Sequence, residues 1–391
     1  MKKEKERYYT LKNIVQRAPK AKYYMIYGER SNGKTFSVKH LGLFGLHEGK
    51  DVDINGYLDD GSQFAILRRF DEDFKGKRAV EMFSDITNNP KKGNILEKET
   101  RGKWNDVQYW MGSWWLVKRN EKGEVEEKDS QPFAFKFSLT SMIHDKSISF
   151  PMLRNVLFDE FLTSGYYLPD EFVTFMNVLS TIIRDRNDVR IFMCGNTVNK
   201  YSPYFADMGL KHVKNQKKGT IDVYTYPNPN LTVAVEYSDF PGKKKESDSY
   251  FAFDNPKLKM ITTGDWEISI YPHLPYRYMP TDIIYNYFIQ FDGETLHCEI
   301  INLNPNEENQ LKYPVQFTYI HRKTTEIKDD GTTLIYQQEH DPRPNHSRRL
   351  AKPRSRMEKM IFSFFQKELV FYQDNEIGEV VRNFINWSMT N

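Results

Sequence analysis

The chain has 391 residues, which is long enough for two domains of ordinary size. Its 56 lysines and arginines nearly balance 53 aspartates and glutamates, so a formal charge of +3 excludes a generally basic chain and leaves any polyanion site to local clusters. Two cysteines exclude a disulfide framework, and no histidine and cysteine spacing suits zinc. Without an apolar window of ~18 residues or a leader-like segment, we expect a soluble protein of the reducing cytosol that contacts no membrane.

Short apolar runs alternate with helical patterns over the first two-thirds of the chain, which predicts an α/β fold with a parallel sheet. The predicted strands are 22–27, 63–69, 133–139, 155–158 and 189–194. Residues 170–184 have apolar side chains at mostly helical spacing and are predicted to form a crossover helix. Residues 89–132 resemble an inserted hairpin, with turns at Gly112-Ser113 and at 121–123.

The stretch MIYGERSNGKTFS at 25–37 follows the first predicted strand and fits the pattern G-x-x-x-x-G-K-[ST]. In such a P-loop, backbone N–H groups surround phosphate oxygens at the start of a helix. Lys34 is then expected to reach the β- and γ-phosphates of ATP, and Thr35 to bind Mg²⁺. The predicted nucleotide-binding residues of the loop are Gly28, Glu29, Arg30, Ser31, Asn32, Gly33, Lys34 and Thr35.

A nucleotide site of this kind needs a carboxylate element on a neighbouring strand, and NVLFDEF at 155–161 supplies one. Asp159 is the predicted Mg²⁺ partner, and Glu160 is predicted to polarise a water for attack on the γ-phosphate. The alternative is that this Asp-Glu pair only ends a strand. Coming after the P-loop, the pair favours ATP hydrolysis.

A cation is also needed to offset charge on the transferred phosphoryl group. TIIRDRNDVR offers Arg184 and Arg186 on a short connection that could enter a neighbouring subunit's site, although they could equally be ordinary surface arginines. Asn196 ends the strand in IFMCGNT, where its amide could sense the γ-phosphate. Arg30 could contact the γ-phosphate or Glu160, or face solvent.

Residues 240–249 combine Pro, Gly and a lysine run and form the best predicted domain boundary. A smaller α/β or α+β domain is expected beyond it, with hairpin turns at Asp292-Gly293 and Asp330-Gly331. Its predicted strands are 285–291, 295–302, 316–321 and 332–336, and its predicted helices are 356–371 and 376–387. Basic clusters at 211–218, 243–245, 91–103 and 346–359 could touch nucleic acid, but each alone is more often a solvated face.

The segments GERSNGKT, LFDEF and RDRNDVRIFMCGNTVNKYSPYF resemble the DNA-packaging ATPases of phi29-like tailed phages and, more distantly, large terminases. Fainter similarity extends to IIYNYFIQFDGETL and FYQDNEIGEVVRNFINW near the C-terminus. The resemblance implies a P-loop ATPase domain of the additional-strand catalytic-glutamate class at 1–240, a linker at 241–265 and an RNase H-like domain at 266–391. It also implies that this second domain has lost its nuclease metal site, since Asp292 falls in a glycine turn and not within a strand.

The same resemblance implies a homomeric ring, a pentamer, that drives double-stranded DNA into a preformed procapsid at the portal vertex with ATP and Mg²⁺. Lys34, Glu160 and Arg184 would be catalytic, with Arg184 acting in trans and Arg186 close behind it. The expected location is the cytoplasm of the infected host and, transiently, the procapsid, with absence from the mature virion. Some relatives need a structural RNA, which the residues leave open. The alternatives are a terminase-like motor with an active nuclease, another ring-forming DNA translocase, and a nucleotide-bound scaffold without enzymatic activity.

Overall fold

The computed structural model describes residues 9–49, 52–141, 149–163, 167–228, 230–239, 269–274, 277–303, 315–322, 326–327 and 330–390. Two compact units are formed by the chain. Unit 1 comprises Met1–Ser164, Glu171–Lys200 and Asp207–Trp266, and unit 2 comprises Gly165–Asp170, Tyr201–Ala206 and Glu267–Asn391. The predicted boundary at 240–249 and the linker at 241–265 lie outside the described residues.

Unit 1 is built on a ten-stranded sheet whose middle strands are parallel. Its strands are β1 (Tyr23–Gly28), β4 (Gln63–Arg68), β5 (Asp106–Trp110), β6 (Ser113–Arg119), β7 (Val125–Lys128), β8 (Ala134–Ser138), β9 (Leu153–Asp159), β10 (Arg190–Asn196), β11 (Thr220–Tyr226) and β12 (Leu231–Ser238), and a separate two-stranded ribbon holds β2 (Leu46–His47) and β3 (Asp53–Ile54). The strand order is β11-β12-β1-β10-β9-β4-β8-β6-β5, with β7 paired to β6. All five predicted strands are confirmed to within about two residues, because buried parallel strands consist of continuous apolar runs.

Most helices of unit 1 are short. Two are longer, and each directly follows a central strand of the sheet along the chain. The helices preceding residue 200 are α1 (Lys12–Arg17), α2 (Lys34–Phe44), α3 (Tyr57–Asp60), α4 (Lys77–Val80), α5 (Ser84–Thr87), α6 (Ile95–Glu99) and α7 (Glu171–Ile183), and the next helix, α8 (Pro203–Asp207), lies mostly in unit 2. The predicted crossover helix at 170–184 is confirmed as α7, which connects β9 to its parallel neighbour β10. The apolar core includes Tyr24 and Ile26 of β1, Leu157 of β9 and Phe192 of β10.

The predicted insertion at 89–132 is confirmed as antiparallel strands β5, β6 and β7, with turns close to the predicted places. The sequence did not indicate where these strands belong. They extend the main sheet, since β6 pairs with β8 through Ser113 and Trp114. The Trp114 side chain is fully buried and donates its indole N–H to the carbonyl of Ala79 at 2.8 Å.

Unit 2 contains a six-stranded mixed sheet and, in the described part beyond residue 350, two helices. Its elements are β13 (Ile283–Phe291), β14 (Glu294–Asn302), β15 (Gln316–His321), β16 (Leu334–Gln337), β17 (His346–Ser347), α9 (Arg356–Gln366), β18 (Val370–Tyr372) and α10 (Asn375–Thr390). The order is β17-β16-β13-β14-β15-β18. The pairs β13–β14 and β14–β15 are antiparallel, whereas β16 is parallel to both β13 and β17, and β18 is parallel to β15.

Two expectations for unit 2 were wrong. Asp330-Gly331 does not close a hairpin, because β16 pairs in parallel with β13 and not with β15. The helix predicted at 356–371 ends at Gln366, and Val370–Tyr372 form a strand beside β15. In both places the pairing partner is distant in the sequence. Within the described ranges, no helix is both long enough and apolar enough to cross a membrane.

Candidate functional site

The candidate site lies where four parallel strands of unit 1 end. In register, Gly28 of β1 lies opposite Asn196 of β10, and Asp159 of β9 lies opposite Cys194. Leu67 of β4 pairs with Phe158, so the next residue along each strand, Arg68 and Asp159, also meet at this edge. Ligands of open parallel sheets bind at the carboxyl ends of the strands, which makes this edge the place to examine.

The loop from β1 to α2 needs its two glycines for different reasons. Gly28 has a φ of 152°, and a Cβ atom there would lie 2.9 Å from the carbonyl oxygen of Ser238. Gly33 precedes α2 with a φ of 98°, in the region that favours glycine. Ser31 is also left-handed, at a φ of 59°. The loop therefore turns sharply between strand and helix, as a phosphate-binding loop must.

Lys34 points back into its own loop. Its ammonium donates to the carbonyl of Glu29 at 2.6 Å, to Oδ1 of Asn32 at 3.1 Å and more weakly to the carbonyl of Gly28 at 3.4 Å. Burial lowers the pKa of Lys34 to about 8. The loop thus holds a buried cation on acceptors that an anion would replace.

Thr35 and Asp159 are brought together across 124 residues of sequence. The Thr35 hydroxyl donates to Oδ1 of Asp159 at 2.7 Å, and the Asp159 side chain is only 6% exposed. Threonine and aspartate oxygens are the donor type that Mg²⁺ prefers, and they converge at the start of α2. The two residues predicted to share a Mg²⁺ ion are therefore in direct contact and fit that ion.

Glu160 turns away from the strand that precedes it. Its φ is 62°, a left-handed value that is costly for a glutamate, and its side chain is 60% exposed. One carboxylate oxygen accepts a hydrogen bond from Nη1 of Arg68 at 2.8 Å. The strained turn separates the buried Asp159 from an accessible Glu160 beside it.

The sequence analysis missed Arg68, which ends β4. Its guanidinium spans both carboxylates, with Nη2 at 2.5 Å from Asp159 and Nη1 at 2.8 Å from Glu160. A cation at the end of a buried apolar run, in FAILRRF, is the signal that could have indicated it. Only the strand order shows that β4 lies beside β9.

The next residue, Arg69, anchors the chain after Glu160. It donates from Nε and Nη2 to the carboxylate of Glu171, at 2.8 and 2.9 Å, and also to the carbonyl of Phe161 at 2.9 Å. The Glu171 side chain is fully buried. This bidentate pair fixes the start of α7 to the turn that carries Glu160.

The other loop and strand-end residues lie at the same edge. Arg30 and Ser31 are exposed, whereas Asn32 is buried and contacts both Lys34 and the hydroxyl of Ser238. Asn196 ends β10 directly beside Gly28, so its position is compatible with a role near phosphate. Its predicted role stays a prediction.

Arg184 and Arg186 lie on the connection from α7 to β10. This connection is at the amino ends of the parallel strands, whereas the candidate site is at their carboxyl ends. Arg186 donates to the carbonyls of Pro151 and Leu153, at 3.0 and 2.8 Å, so it ties the start of β9 to this connection. Since β9 rises about 3.3 Å per residue, Leu153 lies roughly 20 Å from Asp159. These contacts give Arg186 a structural role, and its predicted place behind Arg184 in a neighbouring subunit's site stays a prediction. Arg184 is exposed, with a φ of 53° at the end of α7.

Replacing Arg68 tests how far the carboxylate pair depends on this cation. We expect Arg68→Ala to lower the free energy of unfolding by about 1.5–3 kcal/mol in buffer without divalent ions, because Asp159 stays buried with its charge-assisted bond removed. Urea denaturation with EDTA measures this, and Arg68→Lys, which keeps the charge, should lose less. Added Mg²⁺ should reduce the difference in unfolding free energy between Arg68→Ala and wild type. Equal stability of Arg68→Ala and wild type would contradict the assignment.

Comparison with known proteins identifies the family. The model of the family described as Podovirus DNA encapsidation protein (Gp16) matches residues 4–245. The DNA packaging protein of Bacillus phage B103 is 29% identical over 111 residues, which are 27% of this chain and 33% of that protein. The DNA packaging protein of Bacillus phage PZA is 30% identical over 81 residues, 20% of this chain and 24% of that protein. The matched segments therefore cover a third or less of these relatives.

The fold can be compared over a longer stretch. A chain in the solved structure of the bacteriophage Phi-29 viral genome packaging motor assembly superposes with a TM-score of 0.51 at 16% identity, over 96% of both chains. At this identity the likeness concerns the fold alone. Because the family match covers more than half of its residues, this chain belongs to the Podovirus DNA encapsidation protein family.

Proposed function

We propose that this protein is the ATP-hydrolysing subunit of a phage genome-packaging motor, which moves double-stranded DNA into a preformed capsid. The observation that carries the proposal is the contact of Thr35 with Asp159 at 2.7 Å, with Glu160 next to them, at the carboxyl edge of a parallel sheet. Family membership supplies the biological setting, and the relatives named above are DNA packaging proteins.

The strand order supports a P-loop ATPase of the additional-strand catalytic-glutamate class. In such an order one further strand separates the P-loop strand from the strand bearing the acidic pair. Here β10 lies between β1 and β9. This spacing places Asn196 between the loop and the two acids, in line with its predicted contact to the γ-phosphate.

ATP would bind through the loop at 28–35. The N–H groups at the start of α2 face the phosphates, and Lys34 exchanges the carbonyl of Glu29 for phosphate oxygens. Thr35 and Asp159 would hold Mg²⁺, which neutralises charge on the β- and γ-phosphates when bound. Arg30 is exposed on the same loop and would contact the γ-phosphate or Glu160.

Hydrolysis would depend on Glu160, whose carboxylate is exposed where a water can reach it. Arg68 fixes that carboxylate beside Asp159, so water activation requires Arg68 to share or release it. The arginine completing the site would come from a neighbour. Arg184 is exposed two residues before Arg186, whose contact with Leu153 lies at the start of β9, roughly 20 Å along that strand from Asp159, so Arg184 would serve another subunit's site.

A ring of subunits follows from such a shared site, because each subunit gives an arginine to the next. We propose a pentamer at the portal vertex of the procapsid, acting in the host cytoplasm. Unit 2 would be RNase H-like without nuclease activity. Its first strand, β13, reaches Phe291 before Asp292 appears in the turn at a φ of 53°, so that acid lies outside the strand. The need for a structural RNA is left to experiment.

The test of the proposed function is steady-state ATPase activity of the purified chain with and without double-stranded DNA. Stimulation by DNA that weakens as salt rises would support a motor that contacts phosphates. An ATPase rate that is the same with and without DNA would contradict the proposal that the protein translocates DNA. Metal-dependent cutting of DNA would favour the terminase-like alternative instead.

The pKa of Lys34 gives a pH test of ATP binding. Burial sets that pKa to about 8 in the free protein, so Lys34 loses its charge as pH rises through that value. Since phosphate favours the protonated form, ATP affinity should fall by up to about tenfold per pH unit above pH 8. Calorimetry in buffers of different ionisation enthalpy should show proton uptake on binding. Lys34→Arg stays charged and should bind with a flat pH profile over this range; a flat profile in wild type would contradict the assignment.

A further inference from the structure

A second group of ligand-type side chains lies in unit 2 and contains no residue of the proposed ATPase site. His297 and Glu299 are on β14, and His321 is on β15 directly opposite His297. One potential ligand atom from each of the three lies within 4.8 Å of the others. Alternation along β14 sends Leu296 and Cys298 into the core under the helices, so His297 and Glu299 share the other face of the sheet.

Two of the three side chains are buried, and His297 is half-buried. His321 is 1% exposed and Glu299 is 7% exposed. The His297 ring stacks on Phe288 with centroids 4.8 Å apart, and it meets the His321 ring at 4.9 Å. The buried Glu299 carboxylate is costly unless a nearby positive charge balances it.

The hydrogen bonds prepare His297 to act as a ligand. Its Nε2 lies 2.9 Å from Oδ1 of Asn286, an acceptor, which favours the tautomer with the proton on Nε2 and the lone pair on Nδ1. Nδ1 is buried and has no hydrogen-bond partner among the described residues. Metal-bound histidines show this same support from an outer acceptor.

Glu299 is held in a comparable way. The Tyr278 hydroxyl donates to Oε2 of Glu299. Nε2 of His321 lies 3.3 Å from the same oxygen. Two ligand atoms on a tetrahedral zinc ion, each about 2.0–2.1 Å from the metal, are separated by about 3.3–3.4 Å.

We propose that His297, Glu299 and His321 bind a zinc ion that fastens β14 to β15 in unit 2, with water as the fourth ligand. Two imidazoles and one carboxylate form a donor set that suits Zn²⁺, whereas Mg²⁺ and Ca²⁺ prefer oxygen alone. The ion also balances the buried Glu299 charge. His47 offers a contrast, because Asp53 and Asp59 occupy both of its ring nitrogens at the surface.

The zinc site is tested on the full chain made without a histidine tag. The protein is loaded with Zn²⁺, freed of excess by gel filtration and analysed for metal, and a second sample is loaded with Co²⁺ for its visible spectrum. We expect wild type to keep about one ion per chain and to give the intense bands of four-coordinate Co²⁺. Glu299→Gln and His297→Ala should lose the ion, whereas His340→Ala, an exposed histidine of the same unit, should retain it.

Two further measurements protect the test against misfolded variants. Asn286→Ala leaves all three ligands in place and should weaken zinc binding by about 10–100-fold, the usual effect of removing an outer hydrogen bond. EDTA should lower the melting temperature of wild type but leave that of Glu299→Gln unchanged. If wild type holds no metal and melts at one temperature in Zn²⁺ and in EDTA, the cluster is only a His321–Glu299 ion pair and the proposal is overturned. Neither result depends on ATPase activity.

Discussion

Glu160→Gln is expected to abolish steady-state ATP hydrolysis while leaving ATP bound. The amide keeps the shape of the side chain and can still contact Arg68, but it cannot accept a proton from the attacking water. General-base catalysis of this kind contributes about 10²–10⁴-fold, so phosphate release should fall by that factor. ATP affinity, measured with a fluorescent analogue, should change little, since the loop at 28–35 and the Thr35–Asp159 contact are untouched.

The matched control is Glu126→Gln, which removes an exposed carboxylate on β7, away from the strand ends. It should hydrolyse ATP like wild type. If Glu160→Gln also retained its activity, Glu160 would not be the base, and the scaffold alternative, in which nucleotide only holds an assembly together, would gain support. Loss of ATP binding instead would indicate that the variant disturbs the loop.

The sequence allowed much of unit 1 to be predicted, because the relevant signals are local. Strands buried on both faces are continuous apolar runs, and the turn chemistry of Gly28 and Gly33 is contained in eight residues. Asp159 could be paired with Thr35 because a P-loop demands a nearby acid. The structure brings these two side chains to 2.7 Å.

Other features depended on which strands become neighbours. Arg68 acquires its role only because β4 lies beside β9, and Arg186 only because its connection reaches the start of that same strand. Likewise, no linear histidine spacing suggested a metal, since His297 and His321 meet through the pairing of β14 with β15. Unit 2 was predicted less well for the same reason. Its parallel pairs, β13 with β16 and β15 with β18, join distant segments.

Arg184→Ala is expected to lower ATP hydrolysis by about 10³–10⁵-fold, the usual contribution of an arginine supplied to a phosphoryl-transfer site. Because Arg184 follows α7 close to Arg186, which contacts the start of β9 and not the end that carries Asp159, the loss should be repairable by a neighbouring subunit. When Arg184→Ala and Glu160→Gln chains are mixed in equal amounts, each variant supplies what the other lacks. About a quarter of the interfaces in a randomly mixed ring then join an intact Glu160 to an intact Arg184.

The mixture should therefore recover up to about a quarter of wild-type turnover, although each variant alone is inactive. Arg186→Ala is the matched control, because its arginine binds the carbonyls of Pro151 and Leu153 within its own subunit. Arg186→Ala should be less stable than wild type in urea denaturation. Any ATPase activity that it keeps should be measurable without adding the Glu160→Gln chain. A mixture of the two inactive variants that stays inactive, while both still bind ATP, would mean that Arg184 does not act across a subunit interface. The site would then have to be completed by a cation of the same chain, and Arg30 on the loop and Arg68 at the end of β4 are the arginines placed to supply it.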